Sequence, residues 1–209
     1  MSTTTKRSPG RPIDPELADR RRNEILDVAI RVFAKSGFAG TDVQVIADEV
    51  GVGKGTVYRY FATKEDLFLA SADAGMTQLQ NSIFAAVDGV EDDIEFILTA
   101  CDAYVRFFQK RPELVEILIQ ERARFRDAIP STHLVYREKN RGVFEERLQR
   151  AIDAGVLRQV SARDLATSLA NLLYGTVVCG CLEGSTKDLL RTAQAAVDMF
   201  LKGVLSNRA

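Results

Sequence analysis

Apolar residues recur at helical spacing along almost the whole chain. Ile25, Val28, Ala29, Val32 and Phe33, for example, fall on one face of a helix. No sustained alternation of polar and apolar residues marks a strand. The pattern therefore predicts an all-α fold of about nine helices.

Breaks in this pattern divide the chain into three parts. Residues 1–14 are polar and basic with little to bury, which predicts a disordered arm. Residues 15–63 are predicted to form a head of three helices, the last two of them short. Residues 64–209 predict a larger helical bundle, and a chain of 209 residues can bury a core of that size.

Cap and turn residues set the predicted boundaries. Gly37 ends the first helix, Thr41 or Asp42 caps the second, and Thr63 with Asp66 opens the fourth. The predicted helices span 15–35, 43–50, 54–61, 64–87, 91–110, 112–129, 132–154, 161–182 and 186–205.

The charge is unevenly distributed. The whole chain has 28 basic and 29 acidic side chains, a net charge of −1, which by itself argues against a nucleic-acid protein. Residues 1–64 hold 11 basic and 8 acidic side chains, whereas residues 65–209 hold 17 and 21. The first part is therefore net positive and the second net negative, which suggests two tasks in one chain.

Several classes of protein are disfavoured. No apolar run has the length of a membrane span and no secretory signal is visible, so we expect no membrane association. Three sparse cysteines, Cys101, Cys179 and Cys181, are typical of a reducing cytoplasm. His133 is the single histidine, so the sequence predicts neither a catalytic set nor a metal or cofactor site. We expect His133 to be partly exposed. The minority alternative is that it contacts a ligand at the mouth of a cavity.

Two short helices joined by a turn at Gly51 form a helix-turn-helix pattern. On the second helix Val57 and Phe61 point to one side, and Gly55 and Arg59 point to the other. A helix of this kind can stay packed while it presents its outer face to the major groove of DNA. The run from Gly51 to Thr56 also resembles a phosphate-binding loop, but the helical spacing before it and Asp48 in place of a glycine exclude that reading.

Residues 25–69 resemble the DNA-binding head of the TetR family of bacterial transcriptional regulators. The resemblance rests on residues 41–47 (Thr-Asp-Val-Gln-Val-Ile-Ala), 51–61 (Gly-Val-Gly-Lys-Gly-Thr-Val-Tyr-Arg-Tyr-Phe) and 64–67 (Lys-Glu-Asp-Leu). It implies that the remaining helices bind a small-molecule effector and form a homodimer.

The resemblance assigns DNA contacts to named positions. Thr41 and Lys64 match phosphate contacts, and Gln44 and Arg59 match positions that can reach base edges. The complete predicted set is Thr41, Gln44, Lys54, Gly55, Thr56, Tyr58, Arg59, Tyr60 and Lys64. Gly53 departs from the family pattern, which often has Ser or Thr there, so the helix has a weaker cap. Residues 1–12 are either a minor-groove arm or a solvated tail.

Aromatic side chains of the bundle are candidates for an effector cavity. The predicted lining consists of Tyr104, Phe108, Arg122, Phe125, Tyr136 and Tyr174. Plain core packing is the alternative for most of the aromatic residues. For Arg122 a solvated face is the alternative to pairing with an acidic ligand.

The last two helices carry wide apolar stripes. Such stripes suit a four-helix interface between two copies of the chain, with Leu169, Leu173, Thr176, Gly180, Ala193, Val197 and Phe200 as its predicted residues.

These features predict a cytoplasmic, homodimeric repressor that a small-molecule effector releases from a palindromic operator in double-stranded DNA. The alternative is a helical small-molecule-binding module that acts through a protein partner. The effector itself is not identifiable from the sequence.

Overall fold

The computed structural model describes residues 15–204, and within this range it contains nine α-helices, one short 3-10 helix and no strand. The helices are α1 Pro15–Gly40, α2 Val43–Val50, α3 Lys54–Tyr60, α4 Lys64–Val87, α5 Asp93–Lys110, α6 Glu113–Phe125, α7 Thr132–Asp153, α8 Ala162–Leu182 and α9 Leu189–Val204. The all-α prediction is confirmed. The predicted arm at residues 1–14 lies outside the described residues.

The head forms because α1, α2 and α3 each turn one apolar face inward. Ile25, Phe33, Ile46 and Val57 are completely buried there. Gly37 has a φ of 72°, a conformation that glycine adopts at little cost, and it interrupts α1 where the sequence predicts its end. Asp42, one of the two predicted candidates, caps α2 by accepting a hydrogen bond from the backbone N–H of Gln44.

Helix α4 leads from the head into the bundle. Thr63 accepts a hydrogen bond from the backbone N–H of Asp66, whose carboxylate accepts one from the backbone N–H of Thr63. This reciprocal cap is the predicted one. Because α4 packs against α1 in the head and against α5, α6 and α7 in the bundle, it spans both parts. The proposed boundary between residues 63 and 64 stays a prediction.

The bundle departs from the predicted boundaries at two helix starts and at the end of α6, which is Phe125 instead of residue 129. Helix α5 begins at Asp93, because the carboxylate of Asp92 accepts hydrogen bonds from the backbone N–H groups of Ile94 and Glu95. The segment Thr186–Asp188 is a 3-10 helix, so the last α-helix begins at Leu189. Helices α5, α7, α8 and α9 pack together and form the main body of the bundle.

Helix α8 is long and apolar enough to cross a membrane by length and composition alone, contrary to the sequence expectation. The same test is passed by mostly buried core helices of soluble proteins. Helix α8 packs against α5, α7 and α9, and 28% of its most apolar 18-residue stretch is buried.

A carboxylate from α6 caps α7. The side chain of Glu121 is 1% exposed and accepts hydrogen bonds from the backbone N–H and the hydroxyl of Thr132. Ser131, which precedes α7, makes no side-chain cap of its own. Glu121 therefore fixes the start of α7 against α6.

We expect Glu121→Ala to lower the free energy of unfolding by about 1 kcal/mol, because it leaves the partly buried donors of Thr132 without their acceptor. Urea denaturation measures this change. Glu121→Gln is the matched control, because it keeps a side-chain acceptor and should lose less. Equal losses in both variants would contradict the capping role.

Candidate nucleic-acid interface and ligand cavity

Helix α3 has one anchored face and one open face. Val57 is fully buried and Phe61, directly after α3, is 4% exposed. Tyr58, by contrast, is 40% exposed, and Gly55 and Arg59 are also exposed. The predicted separation of the two faces is confirmed, so the open side of α3 is available to a partner.

The turn before α3 follows the sequence interpretation. Gly51 ends α2 with a φ of 75°, and Gly53 occupies the N-cap position of α3. Gly53 provides no side-chain hydrogen bond, which agrees with the expected weaker cap.

Lys54 is held by an acidic neighbour. Its ammonium lies 2.7 Å from the carboxylate of Asp42, the residue that also caps α2. The backbone N–H of Gln44 and then Lys54 hold the pKa of Asp42 below its ordinary value, and Asp42 raises the pKa of Lys54. The pair is exposed, so its contribution to stability is small.

Three other predicted contact residues are engaged within the head. Gln44 donates to the carboxylate of Asp48 at 2.7 Å. Thr41 is 5% exposed, and its hydroxyl donates to the carbonyl of Gly37. Lys64 donates to the carbonyl oxygen of Thr41 at 2.7 Å, so its ammonium joins the start of α4 to the end of α1. These three side chains are therefore hydrogen-bonded to neighbouring acceptors within the head, and their DNA contacts stay a prediction.

The remaining predicted residues of α3 surround its open face. Thr56 and Tyr60 are half-buried, and the guanidinium of Arg59 lies 5.6 Å from the centre of the Tyr60 ring.

Sequence reasoning missed one cation beside α3. The guanidinium of Arg22, from α1, lies 5.2 Å from the centre of the Phe61 ring. Arg22 is exposed and belongs to a run of three arginines, residues 20–22. Such a run is a signal for a basic patch and could have identified the residue.

Residues 25–71 match the family model for bacterial regulatory proteins of the tetR family. Residues 25–71 therefore form a TetR-family domain. The matched TetR-family segment covers α2, α3 and the parts of α1 and α4 that pack against them.

Two relatives share part of the chain. It is 29% identical over 91 residues to the HTH-type transcriptional regulator HbdR of Aromatoleum sp. (strain CIB), covering 44% of this chain and 40% of the relative. This chain is also 32% identical over 108 residues to the HTH-type transcriptional repressor NicS of Pseudomonas putida (strain KT2440), an alignment that covers 50% of this chain and 49% of the relative. These alignments thus span less than half of each relative.

A solved structure extends the likeness to the whole fold. A TetR transcriptional regulator from Chloroflexus aurantiacus J-10-FL superimposes with a TM-score of 0.74 at 23% identity, covering 91% of this chain and 100% of that one. The likeness in fold therefore includes the bundle as well as the head.

The bundle of this chain contains a cavity of about 120 Å³ between α4, α5, α7 and α8. Its lining is mostly apolar and includes Ile97, Phe144, Leu148 and Leu173.

The cavity includes two of the six predicted effector residues, Tyr104 and Tyr136, and excludes the other four. Phe125 packs against Phe38 and Phe68, at the junction with the head. Arg122 is exposed and donates to the carbonyl of Arg126, which leaves the solvated-face alternative. Phe108 is 1% exposed and packs beside Tyr104, whereas Tyr174 stacks on His133; neither residue lines the cavity.

His133 is buried in the cavity wall, which overturns the expectation of a partly exposed histidine. It is 5% exposed, and its Nε2 lies 3.3 Å from the hydroxyl oxygen of Tyr104. Burial, reinforced by the charge of Arg137, lowers the pKa of His133 to about 4. The imidazole is therefore neutral near pH 7.

Most of the predicted dimer residues are used inside the chain. Leu169, Leu173, Ala193 and Val197 are each less than 9% exposed. A Cβ atom on Gly180 would lie 2.6 Å from the side chain of Leu189, so this glycine permits close packing of α8 on α9. These five residues therefore pack within the chain and are not left for a second copy. The other two predicted residues, Thr176 and Phe200, are half-buried.

His133 should make stability depend on pH. Its pKa is lower in the folded chain than the ordinary 6.5, so the unfolded chain binds the proton first as the pH falls. We expect about 3 kcal/mol of stability to be lost between pH 6.5 and 4 in urea denaturation. His133→Gln should flatten that part of the profile, whereas an unchanged slope would rule out a neutral buried imidazole.

Proposed function

We propose that this chain is a transcriptional regulator that binds operator DNA through α3 and is controlled by a small-molecule effector. Repression is the proposed outcome of DNA binding. The observation that carries the proposal is the open face of α3, held in place by the buried Val57 in a TetR-family head. The chain would act as a cytoplasmic homodimer.

The proposed DNA contact begins with an exchange of partners. A DNA phosphate would take the ammonium of Lys54 from Asp42, while Asp42 continues to cap α2. The absence of a side chain at Gly55 would let the backbone of α3 approach the groove closely. Tyr58 and Arg59 would then supply contacts to phosphates and base edges.

Dimerisation is supported by an uncovered apolar face. Only 28% of the most apolar 18-residue stretch of α8 is buried, and Leu182 is 61% exposed. On α9, Met199 is 67% exposed. Gly175 and Cys179 lie on the same exposed side of α8 as Leu182. A second copy would cover this face, and a twofold axis would pair two heads with a palindromic operator.

Effector control is supported by the elements between the cavity and the head. Helix α4 starts at the Lys64 contact with the head and contributes Ile83 to the cavity. In α6, Gln120 bonds to the backbone of Phe33 and Phe38, while the next residue, Glu121, caps α7. An effector that favours one arrangement of α7 would thereby change the position of the head and lower DNA affinity by linkage.

We expect Tyr58→Ala and Lys54→Ala each to weaken binding about tenfold or more to a duplex selected from random DNA by the wild-type protein. Fluorescence anisotropy with labelled DNA measures the affinity at several salt concentrations. Lys54→Ala should also make the salt dependence less steep, because one phosphate contact is lost. Arg163→Ala, an exposed site on α8, is the control.

Gly55→Ala separates DNA contact from folding. Nothing lies within 4 Å of a Cβ atom at this position, so alanine should fold well and favour the helix. It should nevertheless weaken DNA binding by crowding the groove. If all three variants bind like wild type, or if selection enriches no duplex, the DNA-binding proposal fails and a protein partner becomes the better reading.

The dimer proposal predicts that Met199→Glu converts the protein to monomers, because it buries an unpaired charge in the interface. Sedimentation velocity measures the mass. Lys110→Glu, an exposed charge change on α5, is the control and should leave the dimer intact. Alkylation of Cys179 should be slow in the dimer and fast in the Met199 variant; a wild-type monomer would disprove the interface.

A further inference from the structure

We propose that the effector is an amphipathic organic anion, with one apolar ring or short alkyl chain in the cavity and one carboxylate bound by Arg137. The proposal rests on the effector control proposed above and specifies the chemical class that the cavity accepts. Three observations support it: the apolar lining, the charge balance of two neighbouring arginines, and the neutrality of the buried polar groups.

The size and lining of the cavity define the apolar part. Ile97, Phe144, Leu148 and Leu169 surround its interior. An apolar protein cavity of roughly 150 Å³ holds a benzene ring, so the 120 Å³ found here is suited to one ring or a short chain. Burial of that surface would provide the main attraction.

Arg137 provides an uncompensated positive charge at this apolar cavity. Its guanidinium donates to the side-chain oxygen of Asn171 at 2.6 Å, and no carboxylate of residues 15–204 lies within 4.0 Å of it. Asn171 is a neutral partner, so the charge is left for a ligand. A carboxylate is the group that a guanidinium binds most specifically, because two parallel hydrogen bonds form.

Arg141, one helical turn further along α7, also lines the cavity but is neutralised. It bonds to Glu138 at 2.6 Å and to Glu145 at 3.2 Å. The acidic side chain that lines the cavity, Glu138, is therefore engaged by Arg141. This difference between two adjacent arginines directs the anion to Arg137.

The buried polar groups are neutral and leave the anion preference to Arg137. Tyr104 and His133 bond to each other, and the charge of Arg137 affects the pKa of both. Asn140 donates to the carbonyl of Tyr136 in its own helix. These groups can orient a polar substituent, but none carries a charge near pH 7.

Isothermal titration calorimetry of the full chain without DNA tests the proposal. The probes are 3-phenylpropanoate and hexanoate, each paired with its neutral amide of nearly the same shape. We expect each carboxylate to bind about tenfold more tightly than its amide. Arg137→Gln should weaken the carboxylates about tenfold and the amides less than about threefold, which removes the preference.

Arg141→Gln is the matched control and should change carboxylate affinity less than about threefold, because its charge is already paired. Asn171→Ala frees Arg137 from its neutral partner without removing the charge, so it should keep the preference for the carboxylates. This variant also tests the proposal if Arg137→Gln does not fold, which thermal unfolding would reveal.

Equal affinity for acid and amide would overturn the proposal, as would no binding of any probe. Equal loss of both ligands in Arg137→Gln would also overturn it, because Arg137 would then only position α7 and α8. DNA affinity is measured separately with the selected duplex. Intact DNA binding without carboxylate preference refutes the effector class alone, whereas carboxylate preference without DNA binding refutes the regulator alone.

Discussion

The ring of Phe38 joins the head to the bundle. It contacts Phe33 of α1, Phe68 of α4 and Phe125 of α6, with ring centres 5.3 to 6.1 Å apart. The left-handed conformation of Gly37 brings the chain to this position, and Lys64 lies 4.8 Å above the same ring. Because aromatic contacts are dense and specific in geometry, a displacement of α4 or α6 cannot leave the head where it was.

Polar contacts reinforce this junction from both sides. Gln120 is bonded to the head, and Glu121, its neighbour in the chain, caps the helix that forms the cavity wall. One turn of α6 therefore touches the two regions that the proposed function must couple. Near α3 a single residue likewise makes two contacts, since Asp42 caps α2 and also pairs with the ammonium of Lys54.

The head was predictable because its signals are local. Helical spacing, the glycine at position 51 and the reciprocal cap of Thr63 and Asp66 each act within a few residues, and the structure has all three. The contact of Lys64 was not predictable, because its acceptor, the carbonyl oxygen of Thr41, lies more than twenty residues earlier in the chain. Which acceptor a side chain finds depends on how the helices meet.

In the bundle the sequence determined the number of helices, their faces and the positions that must be apolar. It did not determine what each face would meet. Leu169 and Leu173 belong to a stripe that could serve a cavity, a neighbouring helix or a second copy, and only the packing of α5, α7 and α8 decided for the cavity. The same packing buried His133 and left Arg137 without a carboxylate partner from residues 15–204. The helical spacing of apolar residues shows which face of a helix must be buried. The partner that covers this face is determined by contacts between segments far apart in the chain.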